Sequence, residues 1–181
     1  MKYIRKATWK EVFESWEKRE SKNPDWIRCA KEKGFSSWQE WRGSTASRVN
    51  AENLEWGLYN FDNPRQEIPN ILVGPFKSWQ AKIPQLQQNE TSFEGLLKDS
   101  DQYDSLTKNT KIISVLKEFK EVPELRIKLI GVIRKDGKIV CAEGHHTITA
   151  YSLAKMQNYV FLDKLNIKIF LAKIDTDIPI P

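Results

Sequence analysis

The chain has few of the residues and segments that define several common protein classes. Its two cysteines, Cys29 and Cys141, are too few for a disulfide framework, and no Cys-x-x-Cys pair indicates zinc. No apolar run approaches the ~18–20 residues of a membrane span. The first residues, MKYIRKATWKEVF, contain no apolar signal-peptide core. The sequence therefore predicts a cytoplasmic protein that does not cross a membrane.

The excess of positive charge is confined to the first quarter of the 181 residues. Residues 1–50 hold 12 Lys and Arg against 7 Asp and Glu, whereas residues 51–181 hold 17 of each, so the whole net charge of +5 lies in the first part. A basic segment suits phosphates or an acidic partner. The same charge is also ordinary for the surface of a small protein, and both interpretations stay open.

Residues 8–42 have the pattern of three short helices. Thr8 begins the capping pattern Thr-Trp-Lys-Glu, Asn23 precedes Pro24 as a second cap, and Ser36 or Ser37 caps a third helix. Six of the seven tryptophans fall between positions 9 and 56. Their helical spacing favours the core of a small bundle, because a short module needs large side chains to build one. The alternative is a surface that recognises a nucleic acid or a protein partner.

The next residues, 43–66, are predicted to form a connector that ends in the turn signal Asp62-Asn63-Pro64. We therefore expect an N-terminal helical module at 1–62 and a second domain at 63–181. The second domain shows the patterns of an α+β fold, with a hairpin at Asp136-Gly137 that suits a two-residue type I′ turn. Strands are predicted at 68–76, 125–133, 138–142 and 167–174, and helices at 93–98, 112–119 and 145–157, followed by the acidic tail TDIPIP.

The segment Glu143-Gly144-His145-His146 is the most informative part of the sequence. A strand ends there, a glycine turns, and a helix begins with both histidines of the chain. The free N–H groups and the dipole of a helix N-terminus attract phosphate, and Gly144 lets a ligand approach the backbone. Thr147 and Thr149 add hydroxyls, and the histidines can donate to phosphate or move a proton near neutral pH. We expect no metal site made of protein ligands, because adjacent helical residues point apart.

The run DGKIVCAEGHHTITAYSLA, from Asp136 to Ala154, resembles the ParB/sulfiredoxin-like superfamily, and the order of elements extends the resemblance over about 66–175. The resemblance implies a small mixed sheet with helices, whose glycine turn and helix start bind nucleotide phosphates. The superfamily includes chromosome-partition CTPases, sulfiredoxins, free-serine kinases and ParB-like nucleases. The serine-kinase-like and nuclease-like branches, with Asp-Gly-His-His-Arg, fit best, although Thr147 replaces the arginine.

The other branches fit less well. His145 stands where sulfiredoxins carry their catalytic cysteine, and the arginine pair of partition proteins is absent. No GxxxxGK[ST] motif is present, which excludes a P-loop mechanism.

Two carboxylates are candidates for the base or for a ligand of Mg²⁺: Glu143 beside the turn, and Glu67 at the start of the first predicted strand. The resemblance places both carboxylates at one cleft.

Three functions follow from these patterns. The first is a nucleotide-binding phosphotransfer or hydrolytic enzyme that uses a nucleoside di- or triphosphate with Mg²⁺, such as an ATP- or ADP-dependent kinase or a nucleotidase. In it Gly144 to Thr147 and Thr149 hold phosphate, and His145, His146, Glu143 and Glu67 act in catalysis. The second is a ParB-like nuclease or DNA-associated protein, assisted by the basic module. The third is a catalytically degenerate adaptor that docks on a protein partner through its N-terminal helices.

Overall fold

The computed structural model describes residues 1–122 and 125–174. In these ranges the chain forms nine α-helices and one five-stranded sheet, and the predicted α+β class is confirmed. The strands are β1 (Lys2–Ala7), β2 (Trp56–Asn60), β3 (Arg126–Ile133), β4 (Ile139–Glu143) and β5 (Asn166–Lys173). The helices are α1 (Trp9–Glu20), α2 (Pro24–Glu32), α3 (Trp38–Ser47), α4 (Pro64–Glu67), α5 (Lys77–Gln80), α6 (Phe93–Lys98), α7 (Ser100–Thr107), α8 (Thr110–Glu121) and α9 (His145–Met156).

The sheet has the strand order β1-β2-β5-β3-β4. Only β3 and β5 run parallel, and the other three pairs are antiparallel. β5 therefore joins the N-terminal strands to the β3–β4 hairpin. The predicted boundary between residues 62 and 63 falls just after β2, and the sheet extends across it. Independent folding of 63–181 stays a prediction.

Both faces of the sheet are covered, so the molecule has three layers. Alternate residues along β5 separate the two cores: Ile169 and Leu171 pack among α6 to α9, whereas Phe170 and Ala172 pack among the N-terminal helices α1 to α3. We call these the aliphatic layer and the tryptophan layer. The tryptophan layer contains buried Trp16, Trp38, Trp41 and Trp56, which confirms for these four the interpretation of the tryptophans as core residues. Trp9 and Trp26 pack against them and are partly buried.

The local capping signals in the sequence form as predicted. The Thr8 hydroxyl accepts from the Glu11 N–H at 3.2 Å, and the Asn23 and Ser37 side chains cap α2 and α3. Gly34, just after α2, has a positive φ of 84°. The predicted helices at 93–98, 112–119 and 145–157 correspond to α6, α8 and α9, and the last three predicted strands to β3, β4 and β5.

Two predictions about irregular segments are wrong. The connector at 43–66 instead contains the end of α3, a 3-10 turn and strand β2. The predicted strand at 68–76 is a buried irregular segment in which Leu72 alone pairs with β4. Pro69 and Pro75 have no N–H to give to a ladder, so the apolar run signals burial rather than a strand.

The β3–β4 hairpin forms, although its turn differs from the type I′ turn predicted. Arg134 N–H donates to the carbonyl of Lys138, which leaves a three-residue loop, and only Gly137 in it has a positive φ, of 81°. A type I′ turn needs positive φ at both central residues. The predicted tail TDIPIP lies outside the described residues. Within them, no helix combines the length and apolar character needed to cross a bilayer.

Candidate functional site

The Gly144 turn places the start of α9 directly after β4. Gly144 has φ of 108°, a value that L side chains rarely adopt. A Cβ atom there would also lie 2.5 Å from Leu129 Cδ2, in the neighbouring strand. Glycine is therefore required both by the backbone and by the close packing. The turn and helix start predicted from Glu143-Gly144-His145 are confirmed.

His145 is buried in a cage of aromatic rings. The rings of Phe76, Trp79 and Phe93 have centroids 5.2, 5.2 and 5.7 Å from that of His145. Its Nδ1 lies 3.4 Å from Cys141 Sγ, and its Nε2 has no hydrogen-bond partner. Burial, followed by the charges of neighbouring groups, lowers the pKa of His145 to about 3.

His146 lies beside it and is less deeply buried. Its ring centroid is 5.3 Å from that of Trp79. Burial, followed by the positive charge of Lys111, lowers the pKa of His146 to about 4. Both imidazoles are therefore neutral at pH 7, and each acts there as a hydrogen-bonding group rather than as a cation. Proton transfer near neutral pH requires an anionic ligand that raises these pKa values.

Glu143 is held in an ion pair across the two layers. Its carboxylate accepts a hydrogen bond from the Arg19 guanidinium at the end of α1, and only 13% of the Glu143 side chain is exposed. Acting as a base or a Mg²⁺ ligand would require Glu143 to leave Arg19. The ion pair also fixes α1 against the turn that begins α9.

The structure does not bring Glu67 to this cleft. Glu67 lies at the end of α4, where its carboxylate accepts hydrogen bonds from the Met1 ammonium and the Asn63 N–H, each at 2.8 Å. It does not line the cavity beside the histidines. The prediction assumed a strand at 68–76 that borders the cleft, and that strand does not form.

The two threonines also do not line this cavity. The Thr149 hydroxyl is fully buried and donates to the His145 carbonyl at 2.8 Å, an ordinary bond within a helix. Thr147 is half-buried. Of the predicted phosphate-binding residues, the structure therefore places Gly144, His145 and His146 at the cavity, together with Glu143.

A cavity of about 510 Å³ lies between the tryptophan layer and the start of α9. One wall comes from the N-terminal helices and the other from α5 and the Gly144 turn. The N-terminal residues that matter most for its chemistry are Trp16, Glu20, Trp26, Trp41 and Arg42. Sequence reasoning did not assign any of them to the site. The signal that could have found them is the cluster of tryptophans and of positive charge before residue 50.

Arg42 is the buried charge of the cavity. Its Nε and Nη2 donate to Glu20 Oε2 at 3.0 and 2.7 Å, and Trp38 Nε1 donates to the same oxygen at 3.0 Å. The Arg42 Cζ lies 3.9 Å from the centroid of the Trp41 ring. Burial lowers the pKa of Arg42, and the charge of Glu20 opposes that effect. Glu20 is therefore neutralised locally and adds no net negative charge.

The rim of the cavity carries further positive charge. Lys33, Arg48 and Lys77 line it and are exposed, and none of the three forms an ion pair with a carboxylate in residues 1–122 or 125–174. The Lys111 ammonium lies 4.0 Å from the centroid of the Trp26 ring, close to His146. Both acids of the cavity, Glu20 and Glu143, are paired with arginines. The cavity therefore favours an anionic ligand.

Cysteine chemistry does not fit this site. Cys141 is fully buried, and burial raises the pKa of its thiol well above the usual range. Among the described residues, no group of three or more His, Cys, Asp or Glu side chains is placed to hold a metal ion. A Mg²⁺ ion that enters with a nucleotide needs only one or two carboxylates, because the phosphates supply the other ligands. Glu143 lines the cavity, and its carboxylate is paired with Arg19.

Comparison of the chain with protein-family models, with curated proteins and with solved structures finds no match. The resemblance to the ParB/sulfiredoxin-like superfamily therefore stays a prediction. The cavity, the buried arginine and the Gly144 turn are the features from which a function has to be inferred.

Proposed function

We propose that this protein binds a nucleoside di- or triphosphate in the cavity, with the phosphates at the Gly144 turn and the start of α9. The observation that carries the proposal is the combination of one helix N-terminus, a net positive rim and tryptophan rings in a single cavity. Backbone N–H groups at a helix start bind phosphate, and flat aromatic rings stack on a nucleobase. The volume of about 510 Å³ suits a small ligand.

Phosphotransfer or hydrolysis is the chemistry we propose for the bound nucleotide. Mg²⁺ brought by the phosphates would neutralise their charge. A dianionic phosphate beside His145 and His146 favours their protonated forms, so it opposes the burial that keeps their pKa values low. Glu143 is the candidate base, and its release from Arg19 would be the first step. Glu67 is left out of this proposal because it lies at the Met1 ammonium.

Nucleotide binding can be tested by thermal unfolding with ATP, ADP, GTP and CTP, with and without Mg²⁺. A ligand at about 100 times its Kd stabilises the native state by ~2.7 kcal/mol, which corresponds to roughly 5–10 °C for a chain of this size. The charge reversals Arg48→Glu and Lys77→Glu should reduce the shift. Lys98→Glu is the matched control, because Lys98 is exposed on α6 and does not line the cavity.

Two results would contradict the proposal. One is a melting temperature that no nucleotide raises at millimolar concentration. The other is an equal loss of the shift in Lys98→Glu and in the rim variants, because that would indicate unspecific attraction to a basic protein.

The exposed rim cations favour a second candidate, the phosphates of a single-stranded nucleic acid. Lys33, Arg48 and Lys77 line the same cavity as four tryptophan rings, a combination typical of such surfaces. The affinity of this mode should fall steeply and linearly with the logarithm of salt concentration. An oligonucleotide that binds with a steep salt slope, together with no binding of mononucleotides, would favour this candidate over the first.

A further inference from the structure

Two side chains of the cavity carry buried nitrogen atoms without any hydrogen-bond partner. These atoms are Trp16 Nε1 and His145 Nε2, and each side chain belongs to a residue that is only 6% exposed. Both residues line the same cavity. Buried polar groups in native proteins are nearly always paired, so two orphans at one cavity indicate a ligand that completes them.

Trp16 Nε1 is a donor, and the contact with Cys141 assigns His145 Nε2 as a second one. A tryptophan Nε1 can only donate. For His145 the tautomer follows from Cys141, whose buried thiol keeps its proton. We assign that S–H as the donor to His145 Nδ1, 3.4 Å away, because the neutral thiol has a proton to give; this assignment places the ring proton on Nε2. Nothing else in the described residues accepts from either nitrogen.

Arg42, which also lines the cavity, supplies a third donor. Its Cζ lies 4.9 Å from the centroid of the Trp16 ring and 6.0 Å from that of Phe76, which in turn contacts the His145 ring. Its Nε and Nη2 donate to Glu20, whereas Nη1 makes no hydrogen bond within the described chain. We call Trp16, Arg42 and His145 the donor floor of the cavity.

The charged groups around the donor floor leave it without a competing acceptor. Glu20 is bonded to Arg42 and Trp38, and Glu143 is bonded to Arg19. Three donors on residues that line one cavity are best satisfied by an oxyanion, whose oxygens only accept. A nucleobase edge presents donors as well as acceptors and so leaves some of these groups unpaired.

We propose that the donor floor receives the terminal phosphoryl group of the ligand, and that the base lies outward, toward Trp26 and the rim. This inference rests on the proposed function and specifies how the nucleotide enters. The floor is continuous with the Gly144 turn, because His145 is the first residue of α9. The phosphate chain would therefore extend from the start of α9 into the tryptophan layer.

The indole N–H signals of the seven tryptophans offer a direct test by two-dimensional ¹H–¹⁵N NMR. The probes are pyrophosphate, adenosine and ATP. We expect pyrophosphate and ATP to move the Trp16 Nε1–H signal downfield, as hydrogen bonding does, and adenosine to leave it in place. The variant Trp16→Phe assigns the signal, and the ring contact between Trp16 and Phe13 assigns it independently if that variant does not fold.

Affinity gives the second measurement. Trp16→Phe keeps an aromatic ring and removes one donor to a charged group, so it should weaken pyrophosphate and ATP binding about tenfold or more. Trp9→Phe is the matched control on the same helix, because Trp9 does not line the cavity. We expect its affinity for both probes to equal that of the wild type.

The outcomes separate this inference from the proposed function. If ATP binds but Trp16→Phe binds it equally well, or if adenosine alone moves the Trp16 signal, the donor floor does not hold phosphate and only this inference fails. If wild-type protein binds neither ATP nor pyrophosphate, the proposed function fails, and this inference fails with it.

Discussion

The cores on the two faces of the sheet are built from different kinds of side chain. The aliphatic layer fills its core mainly with Leu, Ile, Val and Phe, and its buried members include Leu97, Leu106 and Ile112. The tryptophan layer uses four buried indoles and the ion pair of Arg42 with Glu20. The cavity lies between the two layers: Trp16 and Trp41 of the tryptophan layer line one side, and Phe76 and Trp79, which pack with the aliphatic layer, line the other.

This difference indicates which kind of core can hold a ligand-binding cavity in a small fold. Aliphatic chains interdigitate and leave few gaps. Indoles are large and rigid, and each carries one N–H that must find a partner. Three short helices built around such rings bury a charge and keep a cavity open beside it. The tryptophan layer, whose sequence pattern indicates a packing core, therefore forms half of the candidate site.

The largest effect should come from breaking the buried ion pair. Arg42→Met leaves the Glu20 carboxylate buried without its cation, which should cost about 3–5 kcal/mol of the free energy of unfolding. The double variant with Glu20→Leu should recover most of that stability, because both charges are gone, yet bind no nucleotide. Urea unfolding and calorimetric titration measure the two properties.

A matched variant in the aliphatic layer sharpens this result. Leu97→Ala should cost about 2–5 kcal/mol by cavity formation. At a temperature where the variant is folded, its affinity for nucleotide should equal that of the wild type. An affinity that falls as far as in Arg42→Met would show that the two layers do not differ in function.

The next effect concerns Gly74, in the segment that separates the two layers. A Cβ atom there would lie 1.7 Å from the Cys141 carbonyl oxygen and 2.9 Å from His145 Nε2. Gly74→Ala must therefore displace β4 or α9, and we expect a loss of about 3 kcal/mol or more. Gly43→Ala, in open space on α3, should instead stabilise by up to ~1 kcal/mol. Equal melting temperatures for the two variants would contradict this description.

The pH dependence of stability should also report on the cavity, since both histidines line it. Folding lowers the pKa of His145 to about 3 and of His146 to about 4. Between the unfolded value near 6.5 and these values the unfolded chain binds more protons. The free energy of unfolding is therefore at its full value, as far as the histidines determine it, above about pH 6.5. It decreases as the pH falls below that value, by up to ~1.4 kcal/mol per pH unit for each histidine.

Urea unfolding between about pH 7 and pH 5 measures this slope above the range where carboxylates titrate. His146→Gln should remove about half of the slope. A stability that does not change over this window would show that the histidines are not buried as described. Saturating nucleotide should flatten the profile, because a phosphate favours protonated histidine.

The smallest effect should come from the ion pair that joins α1 to the turn. The Arg19 side chain is 31% exposed but that of Glu143 is only 13% exposed, so Arg19→Met should cost about 1–2 kcal/mol, less than Arg42→Met because its cation is closer to water. Because it frees Glu143, it should strengthen the dependence of nucleotide binding on Mg²⁺. Arg28→Met is the control, because it removes an ion pair with Asp25 in which both side chains are exposed. A stability loss as large as that of Arg42→Met would contradict this ranking of the two ion pairs.

Local signals in the sequence were sufficient for much of the fold. Capping residues located α1, α2 and α3, and the pattern around Gly144 located both β4 and α9. β1 could not be found in this way, because Lys2 to Lys6 are exposed and show no apolar face. It is a strand only because it pairs with β2, more than 50 residues away.

The site was predictable only in the half that is contiguous in sequence. Gly144, His145 and His146 follow one another and indicate a helix start. Trp16 and Arg42 come from helices about a hundred residues earlier, and only tertiary packing brings them to His145. Glu67 illustrates the opposite error, since its assignment depended on an expected strand that proline and irregular pairing prevent.

The strand order β1-β2-β5-β3-β4 has a consequence for how the chain is made. β5 is the last described strand to leave the ribosome, yet it lies at the centre of the sheet. Until it emerges, the β1–β2 pair and the β3–β4 hairpin have nothing to join them. During most of synthesis the tryptophan-rich surfaces of the first three helices therefore lack the strand against which they pack. Apolar surface exposed in this way binds chaperones or aggregates. Truncation before residue 166 should therefore yield insoluble protein rather than a smaller folded one.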